Sequence, residues 1–390
     1  MLRLFSLYNY FMHLPNLKDA NIKGKTVFLR ADLDIPLVNG KIEDDFRLLS
    51  AIPTIKYILK QNCKIIIAGH LGRPDLNQES RIRNPHFAEA SRGKQELSLK
   101  PVAEWFAKKL SHDSSFIIHD SSLGGLEGWE IGQNIFLLEN LRFYKEEKAN
   151  DPEFSKKLAS LADIYVNEAF ANSHRNHASI AGVPKYLPHF AGLHLEREVE
   201  VLSGILKNPK RPLVVIIGGA KIETKLPLIE KMHKIADYVL VGGKLADETK
   251  TLLKIQHEKI NSSSEKKSAL LIADLNTDRS DITLKSAENF LQILNLAKTV
   301  VWNGPMGKIS DDKSVIADSE QGTKKLAEGL IRNSAFVVVG GGDTVGFLKK
   351  ICLLETFACL PKARSHLSTG GGAMLSLLSG EKLPGIEALL

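Results

Sequence analysis

The sequence predicts an α/β protein built on parallel sheets, and three observations carry that prediction. Short apolar, β-branched runs recur along the chain, each bounded by turn residues, as buried parallel strands do. Between them lie stretches whose apolar residues return at i, i+3 and i+4, so strand and helix alternate and βαβ units follow. The runs also fall into two series, and a length of 390 residues suits two domains, each large enough to bury its own core.

Taken in order, the first series is TVFLRADLD (26–34), KIIIAGH (64–70), NIFLLENLRF (134–143) and DIYVNEAF (163–170). The helical patterns between them are DDFRLLSAIPTIKYILKQ, SLKPVAEWFAKKLS and DPEFSKKLASLA; Ser98 and Asp151 open the last two as caps, each followed by a proline near the first turn. HLEREVEVLSGILKN (194–208) is a long helical pattern between the series and reads as an interdomain helix ending at Asn208 and Pro209. The second series is PLVVIIGGAK (212–221), YVLVGG (238–243), TVVWNGPMG (299–307), FVVVGGGDT (336–344) and LSTGGGA (367–373). Residues 74–96 and 258–269 are polar and aperiodic, as exposed insertions are.

Composition narrows the class. With 43% hydrophobic and 25% charged residues, disordered, collagen-like and low-complexity chains are excluded. The net charge of +7 admits a nucleic acid, a membrane surface or a small anion as partner. Three widely spaced cysteines, Cys63, Cys352 and Cys359, make neither a disulfide framework nor a CxxC metal pair and point to a reducing compartment, so a cytoplasmic location is expected. The N-terminal MLRLFSLYNYFMHLP is too short and too interrupted by Asn9, Tyr10 and His13 for a membrane span or a secretion signal, and is expected to be a surface extension.

Ligands of open α/β sheets bind beyond the carboxyl ends of the strands, and there the two series differ. In the first these positions are charged: Asp32, Asp34, His70, Arg73, Arg142, His174, Arg175 and His177. Several cations around one cleft suit a small polyanion, because arginine offers paired donors to carboxylate and phosphate oxygens. In the second they are glycines, whose backbone can approach a phosphate closely while the amides of the next helix turn donate to it. A single Gly-Gly pair can equally just end a strand, and any one arginine can belong to a solvated face. Lys221 and Lys225, four apart after GGA, share one helix face; Asp343 after GGG is either a helix cap or an anchor for a magnesium nucleotide. His174 and His177 lack a third ligand at metal-site spacing. Neither GxxxxGK[ST] nor GxGxxG with a downstream acid occurs, so one half built for a polyanion and one for nucleotide phosphates suggests phosphoryl transfer.

The stretches RADLDIPLVNGKIEDDFR, AGHLGRP, LLENLRFYKEEKANDPEF, VNEAFANSHRNHAS, GGAKIETK, VVWNGPMG, VVGGGDT and STGGGA, in that order, resemble phosphoglycerate kinase from about residue 16 to 390. The resemblance implies two Rossmann-like, doubly wound parallel-sheet domains joined by a helix and hinge. An acid-substrate domain would take 1–190, with about 375–390 returning to it, and a nucleotide domain 191–374. It also implies reversible, Mg-dependent transfer between 1,3-bisphosphoglycerate and ADP, giving 3-phosphoglycerate and ATP, by a monomer with no membrane or nucleic-acid partner. Carried over, Asp32, Asp34, Arg47, His70, Arg73, Arg142 and Arg175 would hold the acid, with Arg47 the catalytic arginine. Lys221, Lys225, Gly243, Asn303, Ser310, Gly342, Asp343 and Thr344 would hold the nucleotide, Asp343 also meeting Mg through it, while Gly370, Gly371 and Gly372 face the transferring group. A binding protein that merely closes on an anion would lack the pair Arg47 and Lys225. A nucleic-acid binder would interleave aromatic residues with its basic ones.

This chain departs from the family pattern at four places. DFN reads Asp32-Leu33-Asp34, Ser310 stands where a glutamate binds the ribose hydroxyls, GGGMA-TF reads GGKLADET with Lys244 and Asp247, and DIGPKT reads DITLKS (281–286).

Overall fold

The apolar runs become parallel strands in the computed structural model, which describes residues 14–74, 96–110, 118–220, 222–247, 249–250, 268–310, 312, 315–359 and 364–390. The chain divides into two units, Met1–Val199 with Lys382–Leu390, and Glu200–Glu381.

In the first unit, β1 (Thr26–Arg30) is followed by a hairpin of β2 (Leu37–Val38) and β3 (Lys41–Ile42), then β4 (Lys64–Ala68), β5 (Ile118–Leu123), β6 (Leu126–Ile131), β7 (Ile135–Leu138), β8 (Ile164–Asn167) and β9 (His189–Ala191). The sheet order is β5-β6-β7-β4-β1-β8-β9, with β1 in register between β4 and β8, pairing Arg30 with Ala68 and with Asn167. The interior strands are buried along nearly their whole length, hence their continuous apolar sequences. Helices α1 (Phe46–Lys60), α2 (Lys100–Leu110) and α4 (Pro152–Ala159) follow the expected patterns, while the short α3 (Lys145–Ala149) has no counterpart among them. Asp151 caps α4 through the Phe154 N–H at 2.8 Å, with Pro152 at its start. Ser98 stands two positions before α2, where its Oγ accepts the Lys100 N–H at 3.2 Å and donates to Glu139 at 2.7 Å.

The long helix α5 (Leu193–Lys207) carries the boundary between the units. The second unit holds β10 (Leu213–Ile217), α6 (Ile222–Ile235), β11 (Tyr238–Val241), β12 (Ala269–Ile272), α7 (Leu284–Leu294), β13 (Thr299–Asn303), α8 (Gln321–Arg332), β14 (Phe336–Gly340), α9 (Gly342–Lys350), α10 (Leu354–Cys359), β15 (Ser365–Leu367) and α11 (Gly371–Leu378). Its sheet, β12-β11-β10-β13-β14-β15, is parallel throughout. The strand expected at 367–373 lies earlier, because Gly371 onward already forms α11.

The hairpin β5/β6, the hairpin β2/β3 and the short strands β9 and β12 have no counterpart in the sequence reading. β5 and β6 turn through Gly124 and Gly125, and β2 and β3 through Asn39 and Gly40; both residues of each turn have positive φ, which suits a two-residue hairpin turn. Within the expected insertions, residues 75–95 and 258–267 lie outside the described residues, as do the extension 1–13 and Lys221. No helix among the described residues is long and apolar enough to cross a membrane.

Candidate active site

The level ends of β1, β4 and β8 gather the first half-site. Arg73, Pro74, Arg142, Lys148, Arg175 and His177 line a cavity of about 260 Å³. His70, just past β4, is fully buried beside it, and Arg142 is 4% exposed. Asn140 ties the two loops together, its Oδ1 accepting from the N–H groups of Leu71 at 3.2 Å and Arg142 at 3.1 Å. The Arg142 side chain in turn donates to the Gly72 carbonyl.

These cations crowd one another in poorly solvated space. Burial first, then Arg175, brings the Arg142 guanidinium down to about 10. Burial, with Arg30, Arg142 and Arg175 adding to it, holds the His70 imidazole well below its ordinary range and brings His177 to about 3. Nε of Arg142, Nε of Arg175, Nε2 of His70 and Nδ1 of His177 are buried without a hydrogen-bond partner. Buried donors left in that state are costly, and an anion carrying several oxygens relieves both the repulsion and the missing bonds.

The two aspartates do different work. Asp32 is 2% exposed, and its carboxylate accepts from the Ala171 N–H at 2.9 Å and from the Asn172 amide, so it fixes the loop that carries Arg175. Asp34 accepts the Gly72 N–H on Oδ1 at 2.9 Å, and its carbonyl takes Arg47 Nη1 at 2.5 Å. Arg47 extends from the first turn of α1. Sequence reading missed Arg30, Glu147 and Lys148. The available signal was an arginine closing the apolar run of the strand Thr26–Arg30, where a fully buried charge needs specific partners.

The second half-site is built of backbone. Gly243 has φ +65°, and a Cβ there would lie 2.8 Å from the Gly219 nitrogen, so the loops after β10 and β11 touch main chain to main chain. A Cβ on Gly371 would lie 2.6 Å from the Gly341 Cα, which brings the start of α11 against the loop after β14. Lys225, 7% exposed on α6, donates from Nζ to the Gly218 carbonyl. The Gly304 N–H donates to Thr344 Oγ1 at 2.9 Å, and Asn303, at the end of β13, keeps its side-chain Nδ2 buried and unpartnered. Gly341 is the cap residue of α9, so Gly342 opens the helix and Asp343 stands exposed inside its first turn; the capping role weighed for Asp343 falls to Gly341.

Further along, the Ser310 N–H donates to Glu320 Oε1 at 2.8 Å. Glu320 is itself buried and paired with Lys350 at 2.7 Å. Asp247 pairs with Arg279, while Lys244 is exposed. Asp281, first residue of DITLKS, accepts the Gly322 N–H at 2.6 Å at the start of α8, and burial raises its carboxyl to about 6.

No group of three or more His, Cys, Asp or Glu side chains placed to hold a metal occurs among the described residues. Asp343 stands exposed in the first turn of α9, directly after the glycine loop at 340–342. That suits magnesium, which is commonly held by one or two carboxylates together with substrate phosphates.

The family model described as phosphoglycerate kinase matches residues 17–279 and 267–381. The chain is 37% identical over 412 residues to phosphoglycerate kinase of Dictyoglomus turgidum, covering 96% of this chain and 98% of that one. It is 38% identical to the cytosolic phosphoglycerate kinase of Nicotiana tabacum, covering 96% and 97%. The solved structure of phosphoglycerate kinase from Coxiella burnetii superposes with a TM-score of 0.74 at 31% identity, covering 97% of this chain and 99% of that one.

Proposed function

This chain belongs to the phosphoglycerate kinase family, and we propose on that premise that its basic pocket holds the three-carbon acid and its glycine loops the nucleotide. The enzyme is a glycolytic phosphotransferase, moving a phosphoryl group reversibly between 1,3-bisphosphoglycerate and ADP to give 3-phosphoglycerate and ATP. The observation that carries the site reading is the set of buried, partnerless side-chain nitrogens on Arg142, Arg175 and His177 around one cavity.

Both possible nucleophiles, an ADP phosphate oxygen and the acid's carboxylate, are anionic near neutral pH, so no general base is needed. Catalysis is alignment and charge neutralisation. His70, Arg73, Arg142 and Arg175 anchor the acid, and Asp32 holds the Arg175 loop in place. Lys225, whose amine lies among the loops bearing Gly218 and Gly304, and Arg47 neutralise the transferring group, while the amides of Gly371 and Gly372 at the start of α11 donate to its oxygens. Gly243, Asn303, Gly342 and Thr344 shape the nucleotide cradle, with Ser310 on its border. A magnesium ion bound with the nucleotide would neutralise phosphate charge, and Asp343 is the carboxylate that would help to hold it. In-line transfer needs the two ligands to meet, so turnover includes closure of the acid-binding and nucleotide-binding domains. We assign a cytoplasmic monomer acting on small molecules.

Steady-state transfer from ATP to 3-phosphoglycerate with magnesium, run beside Arg47→Ala and Lys225→Ala and repeated with GTP, tests this reading. Each variant should lose roughly 100-fold or more in kcat. A variant within about threefold of the parent would remove that residue from the transfer step.

A further inference from the structure

Arg30 ends β1 fully buried, and each of its nitrogens has a partner. Nε donates to Ser179 Oγ at 2.8 Å, Nη1 to the Ala31 carbonyl at 2.5 Å, and Nη2 contacts His70 Nδ1 at 2.8 Å. A guanidinium has only donors and keeps its proton in proteins, so His70 Nδ1 must be the acceptor of this bond. The proton of the neutral ring is then on Nε2. That atom is buried without a hydrogen-bond partner, 3.8 Å from Asp34 Oδ2.

Behind Arg30 the contacts continue to a buried carboxyl. Ser179 Oγ, having accepted from Arg30, donates to Glu147 Oε1 at 2.6 Å, and the Ser179 N–H donates to Oε2 at 2.9 Å. Glu147 therefore accepts from both directions, the arrangement of a carboxylate facing a buried cation through one hydroxyl. Glu147, Ser179, Arg30 and His70 are all fully buried.

We infer that Arg30 is a positioning residue which fixes His70 as its neutral Nε2–H tautomer, so that the ring presents one directed donor to an anionic oxygen of the acid substrate. The inference rests on the acid-binding reading of this pocket. The groups that face His70 are Arg30, Arg142, Arg175, His177 and Asp34, and the first three already supply positive charge. Another cation would add repulsion; a neutral N–H adds a hydrogen bond whose direction is set by the Arg30 contact. Sequence reading gives His70 a role without saying which nitrogen acts, and Arg30 decides that.

The test is long-range proton–nitrogen NMR on the full chain labelled with ¹⁵N-histidine, His70 being assigned by its loss in His70→Gln. In the ligand-free protein, His70 should be protonated on Nε2 and bare on Nδ1, unchanged between about pH 6 and about pH 8. A protonated Nδ1 or an imidazolium would overturn the proposal, and this needs no variant to fold. Arg30→Met should let the ring mix tautomers and raise KM for 3-phosphoglycerate about tenfold with a smaller change in kcat, and Arg30→Lys, which keeps a donor, should restore part of both. An unaltered His70 spectrum in Arg30→Met would also overturn it. A chain with the Nε2–H spectrum that fails to bind 3-phosphoglycerate would overturn the acid-binding reading and leave the tautomer assignment standing.

Discussion

Asp34 Oδ2 lies 3.8 Å from Nε2 of His70, so a carboxylate stands beside the ring nitrogen that carries the proton in the tautomer we infer. Its other oxygen is held by the Gly72 N–H at 2.9 Å, a bond an asparagine Oδ1 would keep. On the proposed acid-binding reading, Asp34→Asn removes a negative charge near the anionic substrate and leaves the loop geometry in place. KM for 3-phosphoglycerate should fall about threefold to tenfold, the side chain being 34% exposed and its field partly screened. The gain should shrink with added salt. A rise in KM in Asp34→Asn at low ionic strength would mean that the carboxylate holds substrate instead of repelling it.

Glu168 ties the first sheet to α5. Its carboxyl is 1% exposed and receives the Thr54 hydroxyl at 2.5 Å together with the N–H groups of His194 at 3.2 Å and Leu195 at 3.4 Å. Burial outweighs these donors and raises it from 4.5 to about 8. Above about pH 4.5 the unfolded chain loses this proton while the folded chain keeps it until about pH 8, so unfolding releases a proton and stability falls as pH rises through that interval. The slope from this group is at most about 1.4 kcal/mol per pH unit. Urea midpoints at intervals from about pH 5 to about pH 8 should decline less steeply in Glu168→Gln than in the parent. Parallel curves would show that Glu168 ionises in the folded state as it does in the unfolded one.

Two glycines in helices of the second unit should respond to alanine with opposite sign. Gly346 lies inside α9 with nothing within 4 Å of a Cβ, so Gly346→Ala should stabilise by about 0.5–1 kcal/mol through helix propensity and leave kcat unchanged. Gly371 opens α11, but its Cβ would meet the Gly341 Cα at 2.6 Å and force the glycine loops apart. Gly371→Ala should lower the melting temperature and raise KM for ATP by about tenfold or more. Thermal melts and nucleotide titrations of the pair decide it; equal effects of the two substitutions would remove the loop contact as the cause.

The interior strands were legible because both their faces are covered, which makes the sequence continuously apolar. The edge hairpin β5/β6 was not, since Ile118–Leu123 alternates and exposes His119, Asp120 and Ser122. Its signal was Gly124-Gly125, as Asn39-Gly40 was for β2/β3, and neither was used. Strand-end charges pointed to the basic pocket that Arg73, Arg142 and Arg175 line, yet sequence could not tell Asp32, whose carboxylate holds a loop, from Asp34, which borders His70. Arg30 was hidden because it closes the apolar run of a buried strand, and only the contacts with Ser179 and His70, distant in sequence, give it a purpose.

Ser310 should loosen the grip on ribose. Its N–H is committed to Glu320 Oε1 at 2.8 Å, its hydroxyl accepts from the Asp312 N–H at 3.2 Å, and Glu320 is neutralised by Lys350, so a carboxylate is present but turned inward. A serine hydroxyl makes one neutral hydrogen bond to a sugar hydroxyl where a glutamate makes charge-assisted ones, which are roughly twice as strong. The parent enzyme should therefore use 2′-deoxy-ATP nearly as well as ATP, within about threefold in kcat/KM. Ser310→Glu should widen that ratio to about tenfold, mainly through a lower KM for ATP, while the 3-phosphoglycerate KM stays fixed. The measurement is kcat/KM for both nucleotides in both proteins. Discrimination of tenfold in the parent would locate the ribose contact on another side chain of the second unit.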